Sequence, residues 1–262
     1  LAAAPRLRAM LRAAERRPSF VETASPAADY ISGYGAFLGG TAKVADKLTL
    51  YGSAGDVFTQ RAVIAAAAAG AKVDIVEVEE PKDGEPAAWY RALNPAATLP
   101  ALHVNGQKWV QSSTNVVQYL GEAFPESGLV PKSALDVIDG QFFVEDFDVG
   151  AVFSLLKGGA KADDADERKK AVVRTLAAAE RRVVAPFALG DTLTFVDAAV
   201  VPVLAALRAV ASERLPGHDV FSEAPKLKQL LAEAEALPAV AAALRSDDEH
   251  VADFAKRVPV SA

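Results

Sequence analysis

The clearest candidate for chemistry is a polar run, Gln111-Ser112-Ser113-Thr114, that stands directly before a helical pattern. Apolar residues at helical spacing begin at Val116, so Ser112 or Ser113 should lie at or near the helix N-terminus. The unpaired N–H groups and the helix dipole at such a position favour a carboxylate or a phosphate group. The run therefore predicts an anion-binding helix end.

Composition excludes several other kinds of site. The chain has no cysteine, so disulfides, thiolate metal sites and a cysteine nucleophile are impossible, and any thiol must come from a bound ligand. The formal net charge of -6 argues against nucleic acid as the main partner. The histidines are scattered along the sequence, at His103, His218 and His250, so no metal site is predicted. No apolar run of about 18 residues is evident, and no membrane span is predicted.

The elements that position the polar run begin near residue 47. Residues 47–51 alternate as a strand does, residues 52–55 form a turn, and residues 57–69 have the apolar spacing of a helix that ends at Gly70. Residues 72–78 then predict a second strand. A strand, a helix and a strand with short connections predict parallel strands and a right-handed crossover.

A proline, a hairpin and the helix follow in order. Asn94-Pro95 ends a short helix at residues 87–93, because the residue before a proline is disfavoured in the helical region. Pro100 opens an apolar run and has no N–H for a sheet, which suits a strand start and is compatible with a cis Leu99-Pro100 bond. Asn105-Gly106 predicts a two-residue type I′ hairpin.

This order of parts resembles the glutathione-binding half of the glutathione transferase superfamily. The matching residues are Asn94-Pro95, Leu99-Pro100, Asn105-Gly106, Gln111-Ser112 and Tyr119-Leu120. The resemblance implies an α/β plus all-α fold: a thioredoxin-like βαβαββα domain at residues 47–125, a linker at 126–133 and a helical bundle at 134–262. It also implies glutathione as a co-substrate and partner, without a metal.

The sequence pattern of the second half of the chain predicts helices only. We expect one long helix over residues 134–156, with Phe142, Phe143, Phe147 and Phe153 in the core and a break at Gly158-Gly159. A further helix is expected from about residue 163 to about residue 184. Thr194 and Asp197 have the spacing of a capping box, which in the family begins the central helix of this domain.

The resemblance also assigns roles to residues of the glutathione site. The main chain of Leu99, before Pro100, is expected to pair with the cysteinyl backbone of glutathione, and Gln111 with Ser112 is expected to hold the γ-glutamyl carboxylate. The structural alternative is that Ser112 only caps the helix, a contribution of ~1 kcal/mol.

The thiol-activating group is harder to assign. The family uses a Tyr or Ser hydroxyl near the end of the first strand, or a cysteine in its place. Alignment puts Asp56 at the cysteine position and Val57 at the serine position. Tyr51 and Ser53 are the hydroxyls within reach, although an aromatic residue at position 51 also suits core packing. The sequence therefore predicts a glutathione transferase-like protein whose conjugating activity is weak or lost.

Residues 1–46 fit neither domain and support an alternative. Their arginines, with Leu7 and Leu11 between them, form a basic amphipathic pattern that is typical of organellar transit segments and equally of a solvated helix. Residues 50–71 also resemble the N-terminal module of the elongation factor 1 complex gamma subunit, which mainly holds other proteins. In this alternative the chain is a non-catalytic subunit of a larger assembly, fastened to it by residues 1–46, in an organelle or the cytoplasm. The expected protein partner is thus either a second copy of the chain, in a homodimer, or the other subunits of a larger complex.

Overall fold

The computed structural model describes residues 47–79, 86–147 and 162–257, with the side chains of 162–165, 168 and 257 excepted. The predicted arm at residues 1–46 and the predicted break at Gly158-Gly159 lie outside the described residues.

A four-stranded mixed sheet forms the first layer. Its strands are β1 (Leu48–Gly52), β2 (Val73–Glu77), β3 (Ala101–Val104) and β4 (Lys108–Gln111), in the spatial order β2-β1-β3-β4. β1 and β2 are parallel, and β3 is antiparallel to both β1 and β4. The parallel pair confirms the predicted strand-helix-strand unit.

Three helices accompany the sheet: α1 (Val57–Ala68), α2 (Ala88–Leu93) and α3 (Ser113–Ala123). Leu48 and Leu50 of β1 are buried in the same core as apolar residues of α1 and α3, so these two helices cover one sheet face. The element order is the predicted thioredoxin-like βαβαββα.

The predicted turn chemistry is also confirmed. Asn105 and Gly106 both have positive φ, 52° and 69°, as a type I′ hairpin requires of its central residues. The Leu99-Pro100 bond is cis.

The regular elements of the remaining described chain are helices, with a 3-10 turn at Pro125–Ser127 and an isolated bridge between Phe187 and Gly190. Its helices are α4 (Ala134–Asp146), α5 (Ala162–Glu180), α6 (Phe195–Arg214), α7 (Pro225–Ala236), α8 (Pro238–Ala243) and α9 (Asp247–Arg257). The predicted all-helical second domain is confirmed.

Two expectations for α4 are wrong. The helix ends at Asp146 and not near residue 156, because Phe147 leaves the helical region with ψ 81°. Phe142 is 53 % exposed, whereas Phe143 and Phe147 are buried. Residues four apart share a helix face, so Phe143 and Phe147 pack together while Phe142 points about 100° away. The expected core residue Phe153 lies outside the described range.

Helix α6 is the central helix of the second domain. It is long and apolar enough to cross a membrane by length and composition alone, which the sequence reading did not anticipate. However, 83 % of its most apolar window is buried inside the protein, against α1, α4, α7 and α9 among others. Its apolar character is therefore that of a core helix.

The capping box at the start of α6 is confirmed. The Asp197 carboxylate accepts hydrogen bonds from the Thr194 N–H (2.8 Å), the Thr194 hydroxyl (2.9 Å) and the Ala188 N–H (2.8 Å). Burial raises the pKa of the Asp197 carboxyl, and these hydrogen bonds oppose that shift. One side chain thus secures both the helix start and the preceding loop.

We predict that Asp197→Ala lowers the free energy of unfolding by about 3 kcal/mol, because it leaves buried N–H and O–H donors without an acceptor. Urea unfolding followed by circular dichroism measures this change. The matched control is Asp136→Ala, at the equivalent third position of α4 but exposed, with an expected change within about 0.5 kcal/mol. Equal effects of the two substitutions would contradict the structural role given to Asp197.

Candidate active site

One edge of the sheet collects the residues that the sequence singled out. Because β1 and β4 both run antiparallel to β3, the end of β1, the start of β3 and the end of β4 meet at the same edge. The β1–β3 register pairs Tyr51 with Ala101, and the β3–β4 register pairs Ala101 with Gln111. The structure therefore brings together Tyr51, Ala101 and Gln111, with Ser53 two residues after Tyr51 and Leu99 two residues before Ala101.

Ser53 lies in the loop between β1 and α1, which is held in place by hydrogen bonds to residues of β2 and α1. The Ala54 N–H donates to the Glu77 carboxylate at the end of β2, with distances of 3.1 and 3.0 Å to its two oxygens. The Gln60 side-chain amide donates to the Ala54 carbonyl at 3.1 Å. Ser53 itself is only 9 % exposed. Its hydroxyl is therefore on a loop whose position is set by β2 and α1.

Asp56, at the position that a cysteine occupies in related enzymes, has a structural task. Its carboxylate caps α1 by accepting from the Thr59 N–H at 2.8 Å and from the Thr59 hydroxyl at 2.9 Å. This is the ordinary N-cap arrangement, in which a side-chain oxygen satisfies a first-turn donor.

A carboxylate from the last helix reaches the same loop. Asp253 of α9 lies against Gly55 so closely that a Cβ added to Gly55 would be 2.6 Å from Asp253 Oδ2. Asp253 also pairs with Arg245 at 2.8 Å and with Lys256 at 3.1 Å. Three carboxylates therefore contact the loop that holds Ser53: Asp56 at the N-cap of α1, Glu77 of β2 and Asp253 of α9.

Tyr51 contributes to a cluster of aromatic rings. Its ring centroid lies 5.2 Å from that of Trp109, 5.6 Å from that of Tyr90 and 6.4 Å from that of Trp89. Trp89 and Tyr90 belong to α2, so the Tyr51 ring is on the sheet face away from α1. This placement matches the packing role that the sequence left open for Tyr51.

Gln111 helps to hold the segment that precedes β3. Its side-chain amide lies 3.5 Å from Asn94 Oδ1, and the Asn94 amide donates to the Tyr90 hydroxyl at 2.9 Å. That hydroxyl donates to the Thr98 carbonyl at 2.7 Å, next to Leu99. Burial raises the pKa of Tyr90, which keeps the hydroxyl protonated as a donor. The Gln111 side chain therefore reaches Asn94 at the end of α2, while the Gln111 carbonyl accepts from the Asn115 side chain in the first turn of α3 at 2.9 Å.

Ser112 and Ser113 take different positions at the start of α3. Ser112 is exposed with φ 73°, and within the described residues its side chain makes no capping hydrogen bond. Ser113 is the first helical residue and is buried. The sequence reading favoured Ser112, yet the helical spacing of Ser113 with Val116 and Leu120 is the signal that Ser113 lies on the buried face.

A cavity of about 380 Å³ lies beside this helix start, between α1, α3, α4 and α6. Residues of its wall include Arg61, Ser113, Val117, Val137, Val144 and Phe195. Arg61, which the sequence reading did not single out, is 6 % exposed and donates from Nε to the Ala199 carbonyl at 2.8 Å. Burial lowers the pKa of Arg61 to about 10. A basic residue at helical spacing from Val57 and Ile64, on a buried face, was the available signal.

Within the described ranges, no group of three or more His, Cys, Asp or Glu side chains could hold a metal ion.

Comparisons with known proteins agree with this architecture. Residues 57–123 match the family model of the glutathione S-transferase N-terminal domain, and residues 139–243 match that of the C-terminal domain. A probable glutathione transferase omega-2 from Caenorhabditis briggsae is 24 % identical over 207 residues, which are 75 % of this chain and 80 % of the relative. The resemblance to the elongation factor gamma subunit stays a hypothesis.

Solved structures extend the likeness to the fold. Leishmania TDR1, a unique trimeric glutathione transferase, has a TM-score of 0.70 and 27 % identity over 82 % of this chain, which spans only 50 % of that protein. Rice GST1 in complex with glutathione has a TM-score of 0.68 and 23 % identity, covering 80 % of this chain and 96 % of that one. Omega 1C from Trametes versicolor has a TM-score of 0.64 and 20 % identity, covering 81 % and 96 %. The two family models match in order along the same two-domain fold, and the chain belongs to the cytosolic glutathione transferase superfamily.

Proposed function

We propose that this chain binds glutathione along the sheet edge between Ser53 and α3, and that its conjugating activity is weak or lost. The observation that carries the proposal is the sheet register, which puts Ala101, directly after cis-Pro100, between the end of β1 at Tyr51 and the end of β4 at Gln111. In the family this order corresponds to the sulfur, the cysteinyl backbone and the γ-glutamyl end of glutathione. The likeness to a rice transferase solved in complex with glutathione supports the assignment.

The γ-glutamyl carboxylate is assigned to the first turn of α3. Ser112 does not use its side chain to cap that turn within the described residues, so first-turn N–H groups can donate to a ligand. The helix dipole adds a favourable interaction with a negative charge at this end. Gln111 supports the site indirectly, because it joins the network that holds the segment before Leu99.

The thiol end of the site supports weak catalysis. Ser53 lies in the loop that follows β1, two residues after Tyr51, and a hydroxyl donor stabilises a thiolate. However, the same loop contacts the carboxylates of Asp56 and Glu77, whereas the neighbouring Asp253 is paired with Arg245 and Lys256. Like charges disfavour ionisation, so these groups are expected to raise the pKa of a bound thiol. Glutathione would then be held mostly as the thiol.

An exposed apolar stripe favours self-association as well. Leu135, Ile138 and Phe142 of α4 are 73 %, 45 % and 53 % exposed and share one helix face by their spacing. Isolated exposed apolar residues are ordinary, but three on one face suit a protein contact. We assign this face to a second copy of the chain. If catalysis is absent, the same face suits the alternative, in which the chain is a structural subunit of a larger assembly.

We predict that Ser112→Asp weakens glutathione binding by about tenfold or more, because it places a negative charge where the γ-glutamyl carboxylate is expected. Aspartate tolerates positive φ and is a good N-cap, so the fold should be as stable as the wild type or more so. Isothermal titration calorimetry and thermal unfolding measure the two effects. Ser133→Asp, at the N-cap of α4, is the matched control and should leave binding unchanged.

Unchanged glutathione affinity in the Ser112→Asp variant would exclude the first turn of α3 as the binding site of the γ-glutamyl carboxylate. Absence of binding by the wild type at millimolar glutathione would overturn the proposed function as a whole.

For catalysis, Ser53→Ala is expected to lower kcat for an aryl halide by about tenfold or more, with KM for glutathione nearly unchanged, because it removes a donor to the thiolate. Tyr51→Phe is expected to retain activity, since the ring lies in the aromatic cluster on the α2 side. Steady-state kinetics distinguishes the two hydroxyls. The reverse result, loss in Tyr51→Phe and retention in Ser53→Ala, would make Tyr51 the activator.

For self-association, Phe142→Glu is expected to shift the protein to a monomer, because a charge would be buried in the contact. Size-exclusion chromatography with light scattering measures the mass. Val184→Glu is the control, since Val184 is 64 % exposed outside the stripe and its substitution should leave the mass unchanged. A wild-type monomer, or a Phe142→Glu variant with unchanged mass, would exclude this face as the contact.

A further inference from the structure

The last described helix, α9, reaches the loop that carries Ser53. It packs along α6 and places Asp253 so close to Gly55 that a Cβ on Gly55 would lie 2.6 Å from Oδ2 and 2.7 Å from Cγ of the carboxyl group. Gly55 is not among the glycines with positive φ in the described chain, so a side chain is excluded there by space and not by backbone conformation. The glycine therefore provides the room into which Asp253 fits.

Ion pairs hold the Asp253 carboxylate in that position. Arg245, in the connection before α9, lies 2.8 Å from Oδ2, and Lys256 lies 3.1 Å from Oδ1. The side chains of Asp253 and Arg245 are only 15 % and 22 % exposed, whereas that of Lys256 is 76 % exposed, so solvent weakens the Lys256 pair more. Arg245 is therefore the main partner that orients Asp253 toward the loop.

His250 is buried on the same side of α9. It precedes Asp253 by three residues and Phe254 by four, spacings that share a helix face, and it is 4 % exposed. Within the described residues its Nε2 has no hydrogen-bond partner. The charged groups that face it are Arg208 of α6, Arg245, and Asp247 and Asp253 of α9.

These neighbours do not compensate a further positive charge at His250. Asp247 pairs with Arg208 at 2.8 Å and Asp253 pairs with Arg245, so neither carboxylate is free for an imidazolium. Burial lowers the pKa of His250, and Arg245 and Arg208 lower it further, whereas Asp247 and Asp253 oppose the shift. His250 is therefore neutral while α9 is packed, and it binds a proton more readily once α9 has moved away from α6.

We propose that α9 positions the loop that carries Ser53, through the contact of Asp253 with Gly55, and that protonation of His250 releases α9 and the loop together. An exposed His has a pKa of about 6.5. Because the packed state binds a proton less readily, packing of α9 is strongest above that pH and weakens as the pH falls below it. At pH 5.5 the ratio of released to packed α9 rises by up to about tenfold, since one pH unit is a factor of ten.

The release is a property of the protein alone. It needs no glutathione, so it can fail while glutathione binds, and it can occur in a chain that does not bind glutathione. If Ser53 donates to the glutathione thiol, release of its loop also lowers conjugation at acid pH, a consequence that rests on the function proposed above.

Hydrogen–deuterium exchange of the full chain tests the release, by mass spectrometry at pH 7.5 and 5.5 with exchange times corrected for intrinsic rates. We expect peptides over residues 52–60 and 247–257 to exchange about five- to tenfold faster at pH 5.5, with residues 101–104 of β3 unchanged. An unchanged α9, faster exchange of α9 without the loop, or a loss of protection that extends to β3 would each overturn the proposal.

His250→Gln removes the titrating group and keeps a polar side chain of similar reach. In this variant the α9 and loop peptides should exchange at equal corrected rates at the two pH values. The matched control is His218→Gln, because the His218 Nε2 is also buried without a hydrogen-bond partner in the part of the chain that the structure describes. The control should keep the acid response. An acid response that persists in His250→Gln would exclude His250 as the titrating group.

Asp253→Ala covers the case in which His250→Gln does not fold. It removes the contact with Gly55 but leaves His250 and Phe254 against α6, so at pH 7.5 the loop peptide should exchange several-fold faster while α9 stays protected. Asp248→Ala, at an exposed position of the same helix, is the matched control and should change neither peptide. A loop that is as protected in Asp253→Ala as in the wild type would show that Asp253 does not position it.

Discussion

The two-domain structure depends on the hydrogen bonds at the start of α6, which form the joint between the sheet domain and the helical domain. The Phe195 N–H donates to the Leu129 carbonyl of the linker at 2.7 Å, and the Ala199 carbonyl accepts from Arg61 of the sheet domain at 2.8 Å. Between them, Asp197 fixes the helix start and the loop before it. Because α6 is buried against both domains, the joint positions the α3 side of the candidate site and the cavity beside it.

Electrostatics separates the two ends of the candidate glutathione site. At the α3 end, a helix N-terminus favours the carboxylate of a ligand. At the Ser53 end, the carboxylates of Glu77 and Asp56 lie at one loop, and we expect their charges to oppose formation of a thiolate. A ligand could thus be held firmly at one end and remain poorly activated at the other. This combination is the physical basis for proposing binding with little turnover.

Much of the fold could be predicted because its signals are local. The type I′ hairpin at Asn105-Gly106 and the capping box at Thr194 and Asp197 each depend on residues a few positions apart. The extent of α4 was overestimated, since apolar and aromatic residues after Asp146 continue a helical composition while the backbone of Phe147 does not continue the helix. The exposure of Phe142 was missed for a related reason, because composition identifies a core helix but not which of its faces finds a partner.

By itself, the sequence determined the order and type of most elements and the absence of protein thiols. These features follow from turn chemistry, helical and strand periodicity, and residue types, all of which act over short distances along the chain. Only the tertiary structure decided that Tyr51 packs against α2, that Ser113 rather than Ser112 is buried, and that Gln111 supports the segment before Leu99. It also brought Asp253 against Gly55 and Arg61 against Ala199. These contacts join segments far apart in the chain, and their energies depend on how whole helices and strands pack, which no local pattern encodes.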